Sequence, residues 1–341
     1  MTSSRLLESR VPIAAAPMAG GPTSLALTAE VARAGAFPFL AGGYKSVETL
    51  AQEIEASRRL GVAFGVNLFV PDGAAIDERA FTEYAAELEP EAETYGITLD
   101  PTPVFDDDQW IAKLRLLTSD PVPVVSLTFG LPAPEDIDVL QRSSSRVLIT
   151  VTTPEEAAAA QHAGADGLVV QGPRAGGHSA THDPFRTPEL LETEDLVREI
   201  RDAVHLPVVG AGGVDGPRGV RRILDAGAEA VAVGTLLLRT DEAGTSPTHR
   251  AALAASPSKG TVLTRAFTGR PARALRNGFI ERHEGSAPTA YPATHHLTKA
   301  LRQAAGRSGD ADRLHLWAGT GYQQARAEPA GAVIEWLAEE L

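Results

Sequence analysis

The feature that most constrains this 341-residue chain is the phrase alanine-glycine-alanine, which recurs where predicted helices end. It stands at 34–36, 163–165 and 226–228, and an apolar stretch follows each copy within a few residues. Glycine readily adopts the left-handed conformation that closes a helix, and a small neighbour lets the chain turn directly into a buried strand. The phrase therefore predicts repeated strand–helix units.

The predicted strands are continuous apolar runs, which is typical of a parallel sheet covered on both faces. In chain order they lie at 11–16, 37–41, 64–69, 122–127, 146–151, 167–171, 207–210 and 230–234. Predicted helices lie between them at 24–34, 47–60, 77–88, 106–117, 134–141, 154–163, 188–204 and 217–226. About eight such units favour a closed (β/α)₈ TIM barrel over an open doubly wound sheet, so the predicted fold class is α/β.

The pattern changes after the last predicted strand. We expect residues 1–240 to form the barrel and residues 241–321 to form a helical, loop-rich elaboration near the barrel mouth. Within the elaboration a short helix and turns are expected before residue 258, and residues 262–267 could be extended. Residues 322–341 should contain a final helix, from about residue 325, that packs back on the barrel.

Composition excludes several classes of function. The chain has no cysteine, so disulfides, thiolate nucleophiles and iron–sulfur clusters are excluded, and any redox group must be an organic cofactor or a metal on other ligands. The formal net charge of −13 argues against nucleic acid or an anionic membrane as partner. Neither a signal-peptide pattern nor an apolar run of about 18 residues is present, so we expect a cytoplasmic protein.

Polar and glycine-rich segments follow the predicted strands, at the end of a barrel where active sites lie. They contain Pro17 and Met18, Asn67, Gln171, Gly176-Gly177-His178, Gly212-Gly213 and Val233-Gly234-Thr235. The last two segments follow the seventh and eighth strands, the usual phosphate site of barrels, and glycine lets backbone N–H groups approach a phosphate. Tight turns alone would also explain these glycines.

His178 is the candidate general base, because a histidine on a mobile, exposed loop can accept a proton near neutral pH. An ordinary surface histidine is the competing interpretation. A metal pair with His182 is disfavoured, since ligands four residues apart need a helix and Gly176, Gly177 and Pro184 oppose one. No metal site is therefore predicted.

The segments 16–18, 65–67, 171–178, 210–213 and 233–235, together with 291–298 and 317–321, resemble in order those of the nitronate monooxygenases, or 2-nitropropane dioxygenases. This family comprises FMN enzymes on a (β/α)₈ barrel. The resemblance implies that FMN is held by Pro17, Met18, Asn67, Gln171, Gly176, Gly177, Gly212, Gly213, Val233, Gly234 and Thr235. It also implies that a nitronate and O₂ yield a carbonyl compound and nitrite, and that His178 removes the α-proton of neutral nitroalkanes.

The chain departs from the family pattern at Arg174, where a glutamate is usual. A cation there could favour an anionic substrate, or could simply pair with one of the many carboxylates. Arg174 is therefore a candidate substrate residue, together with His295 and His296 of the elaboration, which could face the cleft.

Two alternatives stay open at this point. An FMN-dependent NAD(P)H reductase of enoyl thioesters or quinones would use the same barrel, and Arg174 or the arginine-rich run 265–276 could meet a nicotinamide phosphate or be a solvated face. A non-redox isomerase or synthase would use the same glycine loops without flavin. We expect a monomer or homodimer with a small-molecule substrate and O₂ as partners.

Overall fold

A computed structural model describes residues 6–71, 73, 75–255 and 260–341. Its strands are β1 Ile13–Ala15, β2 Phe39–Ala41, β3 Gly65–Phe69, β4 Val124–Thr128, β5 Arg146–Val151, β6 Gly167–Gln171, β7 Gly177–His178, β8 Val208–Ala211, β9 Ala230–Val233, β10 Thr261–Thr264 and β11 Ala272–Leu275. All of these except β7, β10 and β11 form one parallel sheet in the order β1-β9-β8-β6-β5-β4-β3-β2. A parallel bridge between Ala14 and Phe37 closes the circle, which confirms the predicted eight-stranded barrel.

The helices follow the strands as predicted, with shifts of a few residues at their ends. They are α1 Leu25–Arg33, α2 Val47–Arg58, α3 Glu78–Glu93, α4 Trp110–Ser119, α5 Pro134–Arg142, α6 Pro154–His162, α7 Thr193–Ala203, α8 Pro217–Asp225, α9 Pro247–Ala255, α10 Gly278–His283, α11 Ala293–Ser308 and α12 Ala330–Leu337. The glycines of the repeated phrase close α1, α6 and α8 with φ angles of +86°, +93° and +106° at Gly35, Gly164 and Gly227. The left-handed cap predicted from sequence is therefore confirmed at all three junctions.

Buried side chains form two layers, one on each face of the barrel sheet. The outer layer joins the strands to the helices, as with Val66, Ile149 and Val231. A separate buried cluster, including Phe39 and Leu148, fills the inside of the barrel. Because all eight strands are parallel, their carboxyl ends meet at one mouth, and the loops that follow them surround one space.

The elaboration contains the helices α9, α10 and α11 with connecting loops, as predicted, and β10 overlaps the stretch 262–267 that could be extended. The sheet to which β10 belongs was not predicted. This antiparallel sheet has the order β10-β11-β7, and in it His178 of β7 pairs with Ala272 of β11. His178 therefore lies in a strand and not on a mobile, exposed loop, so that part of the prediction is wrong. This placement depends on tertiary structure, because β7 is two residues long and its partner strand β11 lies nearly one hundred residues later in the sequence.

The C-terminal prediction is correct in kind and too long in extent. The final helix α12 is shorter than the predicted 325–341 and packs against α1 and α8. The helix predicted from Pro188 begins only at Thr193, while α3 continues past its predicted end through Pro90. The division at residues 240 and 321 stays a prediction. Among the described residues, no helix is long and apolar enough to cross a membrane.

Candidate active site at the barrel mouth

A cavity of about 1350 Å³ occupies the carboxyl ends of the strands, between the barrel and α11. Most of the residues predicted for the site line this cavity, namely Pro17, Met18, Asn67, Gln171, Gly176, Gly177, His178, Gly212, Gly213, Val233, Gly234, Thr235 and His295. The first and the last of these residues, Pro17 and His295, are more than 270 positions apart in the chain, so the fold brings the set together.

The glycine segments after β8 and β9 form a cradle of backbone donors. In the described chain, the N–H groups of Gly212, Gly213, Gly234 and Thr235 donate no backbone hydrogen bond. Gly212 and Gly213 have φ angles of +102° and +73°, which a residue with a side chain rarely adopts. Unpaired N–H groups that line a cavity can bind an anion such as a phosphate.

Gly176 has a further reason to be glycine, which is close packing against the chain near Gly319. A Cβ atom on Gly176 would lie 2.4 Å from the backbone nitrogen of Gly319. The same nitrogen donates to Thr235 Oγ1 over 2.9 Å. The segment before His178, the C-terminal segment and the cradle are therefore connected by direct contacts.

The two predicted amides are held by the protein itself. Asn67 is buried, and its Nδ2 donates to Ser126 Oγ and to Thr128 Oγ1, each over 2.9 Å. The Oε1 atom of Gln171 accepts from the Ala180 N–H over 2.8 Å, and its Nε2 donates to the carbonyl of His178 over 3.2 Å. Gln171 therefore fixes the backbone on both sides of β7 as well as lining the cavity.

His178 lies in an aromatic setting. Its ring centroid is 5.3 Å from that of Trp317 and 5.7 Å from those of Phe129 and Tyr291. Burial, followed by the positive charges of Arg270 and Arg302, lowers the pKa of His178 to about 3. The imidazole is consequently uncharged at neutral pH, which is the form that can accept a proton.

The charge of the cavity wall is one-sided. Among the described lining residues there is no aspartate or glutamate, although the sequence contains 44 acidic residues. Lys299, Arg302 and Arg307, all on α11, supply positive charge instead. Such a cavity favours anionic ligands in a protein whose net charge is −13.

Two predicted substrate residues lie elsewhere. Arg174 does not line the cavity and forms an ion pair with Glu192, with 37% of its side chain exposed. His296 is also absent from the lining, and its Nε2 lies 3.1 Å from Asp106 Oδ2. Neither residue therefore lies on the described cavity wall, and a role of either one in substrate binding stays a prediction. His296 follows His295 on a helix, and adjacent helical residues cannot face the same wall.

Nearby residues that were candidates for other roles also have defined contacts. His182 Nε2 lies 3.0 Å from the carbonyl of Thr150, and no group of three metal-ligating side chains occurs in the described chain. Arg270 and Arg273 of the arginine-rich run are buried, and each donates to backbone carbonyls. Arg276 of the same run is exposed and Arg265 is half-buried, so the run does not form one continuous surface.

Several cavity residues escaped the sequence analysis, notably Tyr44, Phe129, Thr268, Arg302 and Trp317. Trp317 lies in a segment that resembles the family, but its role beside His178 had no local signal. Arg302 lies two turns after His295 on α11 and therefore on the same face of the helix. Its position in the cavity wall could have been predicted only if that face was known to line the cavity.

Comparison with known proteins assigns the chain to a family. The model of the nitronate monooxygenase family matches residues 3–340. A probable nitronate monooxygenase of Staphylococcus aureus strain Newman is 32% identical over 342 residues, covering 99% of this chain and 96% of the relative.

Solved structures agree with this placement. Nitroalkane oxidase from Streptomyces ansochromogenes is 45% identical, with a TM-score of 0.93 over 98% of this chain and 96% of that chain. FabK from Thermotoga maritima has a TM-score of 0.74 at 24% identity, over 98% of this chain and 93% of that one, which shows the shared fold. The chain therefore belongs to the nitronate monooxygenase family and is an oxidoreductase of the flavin type.

Proposed function

We propose that this protein uses FMN and O₂ to oxidise alkyl nitronates to a carbonyl compound and nitrite, and that His178 extends the reaction to neutral nitroalkanes. One observation carries the proposal: the cradle of free N–H groups and the uncharged His178 line the same cavity, whose described wall has no carboxylate. The nitroalkane oxidase to which the chain is similar supports the substrate class.

The residues present suit FMN. The N–H groups of Gly212, Gly213, Gly234 and Thr235 fit a single terminal phosphate. Glycine is also required at position 212 for close packing, because a Cβ atom there would lie 2.9 Å from the Gly172 carbonyl oxygen. The cavity of about 1350 Å³ exceeds the ~300–1,000 Å³ of an ordinary ligand pocket, which leaves room for a substrate beside the cofactor. When bound, the flavin supplies the two-electron oxidation and the reaction with O₂.

His178 acts on the proton of a neutral nitroalkane. The free imidazole accepts the α-proton, and the resulting positive charge is opposed by burial and by Arg270 and Arg302. The nitronate that forms beside the ring is an anion, so it offsets this penalty once the proton has moved. A nitronate supplied directly has already lost that proton, and His178 is not needed for it.

The identity of the cofactor and that of the substrate are tested in two steps. Purified protein should absorb in the near-ultraviolet and the blue, and heat denaturation should release FMN, identified by mass. Under anaerobic conditions, an alkyl nitronate should bleach the visible absorbance rapidly, whereas NADPH should not. Rapid bleaching by NADPH alone would instead establish the reductase, and colourless protein would favour the non-redox barrel enzyme.

The role of His178 is tested by comparing two substrates in one variant. His178→Ala should lose neutral nitroalkane turnover by about 10²–10⁴-fold, which is the usual contribution of a general base. Turnover of the matching nitronate should stay within about threefold, with FMN still bound. Equal losses on both substrates, or no loss on either, would exclude the proposed role. The cytoplasmic location and a monomeric or dimeric state stay predictions.

A further inference from the structure

We propose that Arg302, together with His295 and His315, binds the negatively charged nitro group of the nitronate and thereby sets the preference for anionic substrates. This inference rests on the proposed function and names the side chains that recognise its substrate. All three line the cavity on the wall formed by α11 and the segment before Trp317.

The first argument is an uncompensated buried charge. Arg302 is only 5% exposed, and the groups that act on its charge are Tyr44 and Tyr291, with no carboxylate among them in the described chain. Burial lowers the pKa of Arg302 to about 10, so the guanidinium is still charged at neutral pH. A buried charge is ordinarily paired, because removing it from water without a counterion is costly. A site that binds an anion supplies that counterion only when the ligand is present.

The second argument concerns the hydrogen bonds that Arg302 already makes. Its Nε donates to Thr298 Oγ1 over 2.9 Å, and its Nη2 donates to the carbonyl of His295 over 2.8 Å. These neutral oxygens hold the guanidinium in place without neutralising it. Arg302 is therefore rigid before any ligand arrives, which lowers the entropic cost of binding.

The third argument is that Arg302 determines the tautomers of both histidines. Its Nη2 lies 3.3 Å from His295 Nδ1, and its Nη1 lies 3.5 Å from His315 Nε2. A guanidinium only donates, so these two ring nitrogens accept, and in a neutral ring the proton sits on the other nitrogen. Burial and then the charge of Arg302 lower the pKa of both histidines, which keeps both rings neutral.

The consequence is a cluster of N–H donors beside a buried positive charge. In these tautomers His295 carries Nε2–H and His315 carries Nδ1–H, and the latter is a buried atom with no hydrogen-bond partner among the described residues. Together with the guanidinium these N–H groups match the two oxygens of a nitro group that carries negative charge. A neutral ligand with weak hydrogen-bond acceptors would leave most of these N–H donors without a strong partner.

This cluster is close to the proposed base and separate from the phosphate cradle. The rings of His178 and His315 each lie 5.3 Å from Trp317, on which both pack. The cradle is formed by other elements, namely the loops after β8 and β9. The anion site and His178 are therefore neighbours around the Trp317 ring.

Equilibrium binding tests the inference without turnover. The probe is nitrate, a planar oxyanion with the same –NO₂ edge as a nitronate, added to the FMN-loaded protein and followed by thermal melting and by the flavin difference spectrum. Arg302→Met should weaken the apparent Kd for nitrate by at least about tenfold, as expected for lost charged hydrogen bonds, while Arg302→Lys should recover part of it. The control is Arg79→Met, because Arg79 is exposed on α3 and does not line the cavity.

Kinetics separate this inference from the proposed function. Arg302→Met should raise the KM for a nitronate by at least about tenfold and change the KM for the neutral nitroalkane much less. Unchanged nitrate affinity in Arg302→Met would overturn the inference, and so would loss of FMN, since Arg302 would then serve the cofactor. If the wild-type protein binds nitrate through Arg302 but oxidises no nitronate, the proposed function fails and the anion site stands.

Discussion

The Nε2 atom of His178 lies 2.9 Å from the hydroxyl oxygen of Thr268. That hydroxyl also lies 3.5 Å from the carbonyl of Arg270, to which it can donate while it accepts from His178. In that arrangement the proton of the neutral imidazole sits on Nε2, and Nδ1 carries a lone pair that can accept a substrate proton. Thr268 is thus a positioning residue for the proposed base.

Thr268→Val should therefore impair the deprotonation step specifically. The variant keeps the shape of the side chain and removes the acceptor, so both the ring orientation and the tautomer become less defined. We expect kcat/KM for a neutral nitroalkane to fall by about 10-fold, in line with the loss of one hydrogen bond in the transition state. The same measurement on the nitronate should change little, and Thr268→Ser should restore the nitroalkane rate. A parallel loss on both substrates would indicate a structural role instead.

The low pKa of His178 predicts an unusual pH profile. Burial, with Arg270 and Arg302 adding to it, lowers that pKa to about 3, so the base form persists throughout the mildly acidic range. For neutral nitroalkanes, kcat/KM should be flat from pH 7 down to about pH 5. An unperturbed imidazole of pKa about 6.5 would lose rate nearly tenfold per pH unit below that value. An inflection near pH 6.5 that disappears in His178→Ala would contradict this prediction.

Gly176→Ala should loosen the contact between the segment before His178 and the C-terminal chain. The new Cβ would stand 2.4 Å from the Gly319 nitrogen and 2.6 Å from the Ala318 carbonyl carbon, which are backbone atoms and cannot rotate away. Overpacking of this kind costs about 1–3 kcal/mol, so we expect a lower Tm and weaker retention of FMN. Gly285→Ala is the matched control, because nothing lies within 4 Å of its added Cβ. Equal melting temperatures for the two variants would disprove the close contact.

Arg174→Met should leave catalysis nearly unchanged, in contrast to Arg302→Met. Arg174 pairs with Glu192 at the surface, where such pairs contribute about 0–1 kcal/mol, and its side chain does not line the cavity. We expect the KM for a nitronate to stay within about twofold of the wild-type value. A tenfold rise in that KM would show that Arg174 contacts the substrate after all.

Local patterns in the sequence were sufficient for the barrel and for much of the cavity lining. The glycines at 35, 164 and 227 close helices because of their own conformational freedom, and the strands are apolar because both faces of a parallel sheet are buried. The glycine segments after β8 and β9 were also placed correctly, since strand ends converge at the mouth of any barrel. Each of these inferences depends on residues close together in the chain.

Tertiary structure determined which side chains of the site carry charge and which groups they contact. The pKa of His178 depends on burial and on Arg270 and Arg302, which are about 90 and 120 residues away in the chain. Its place in β7 depends on pairing with β11, and the ion pair of Arg174 depends on a carboxylate at Glu192. Sequence periodicity reports which residues share a face, but electrostatic energies depend on distances and burial across the whole fold. For this reason, the sequence was sufficient to predict many residues that line the barrel mouth, but it was not sufficient to predict the cluster of N–H donors at Arg302.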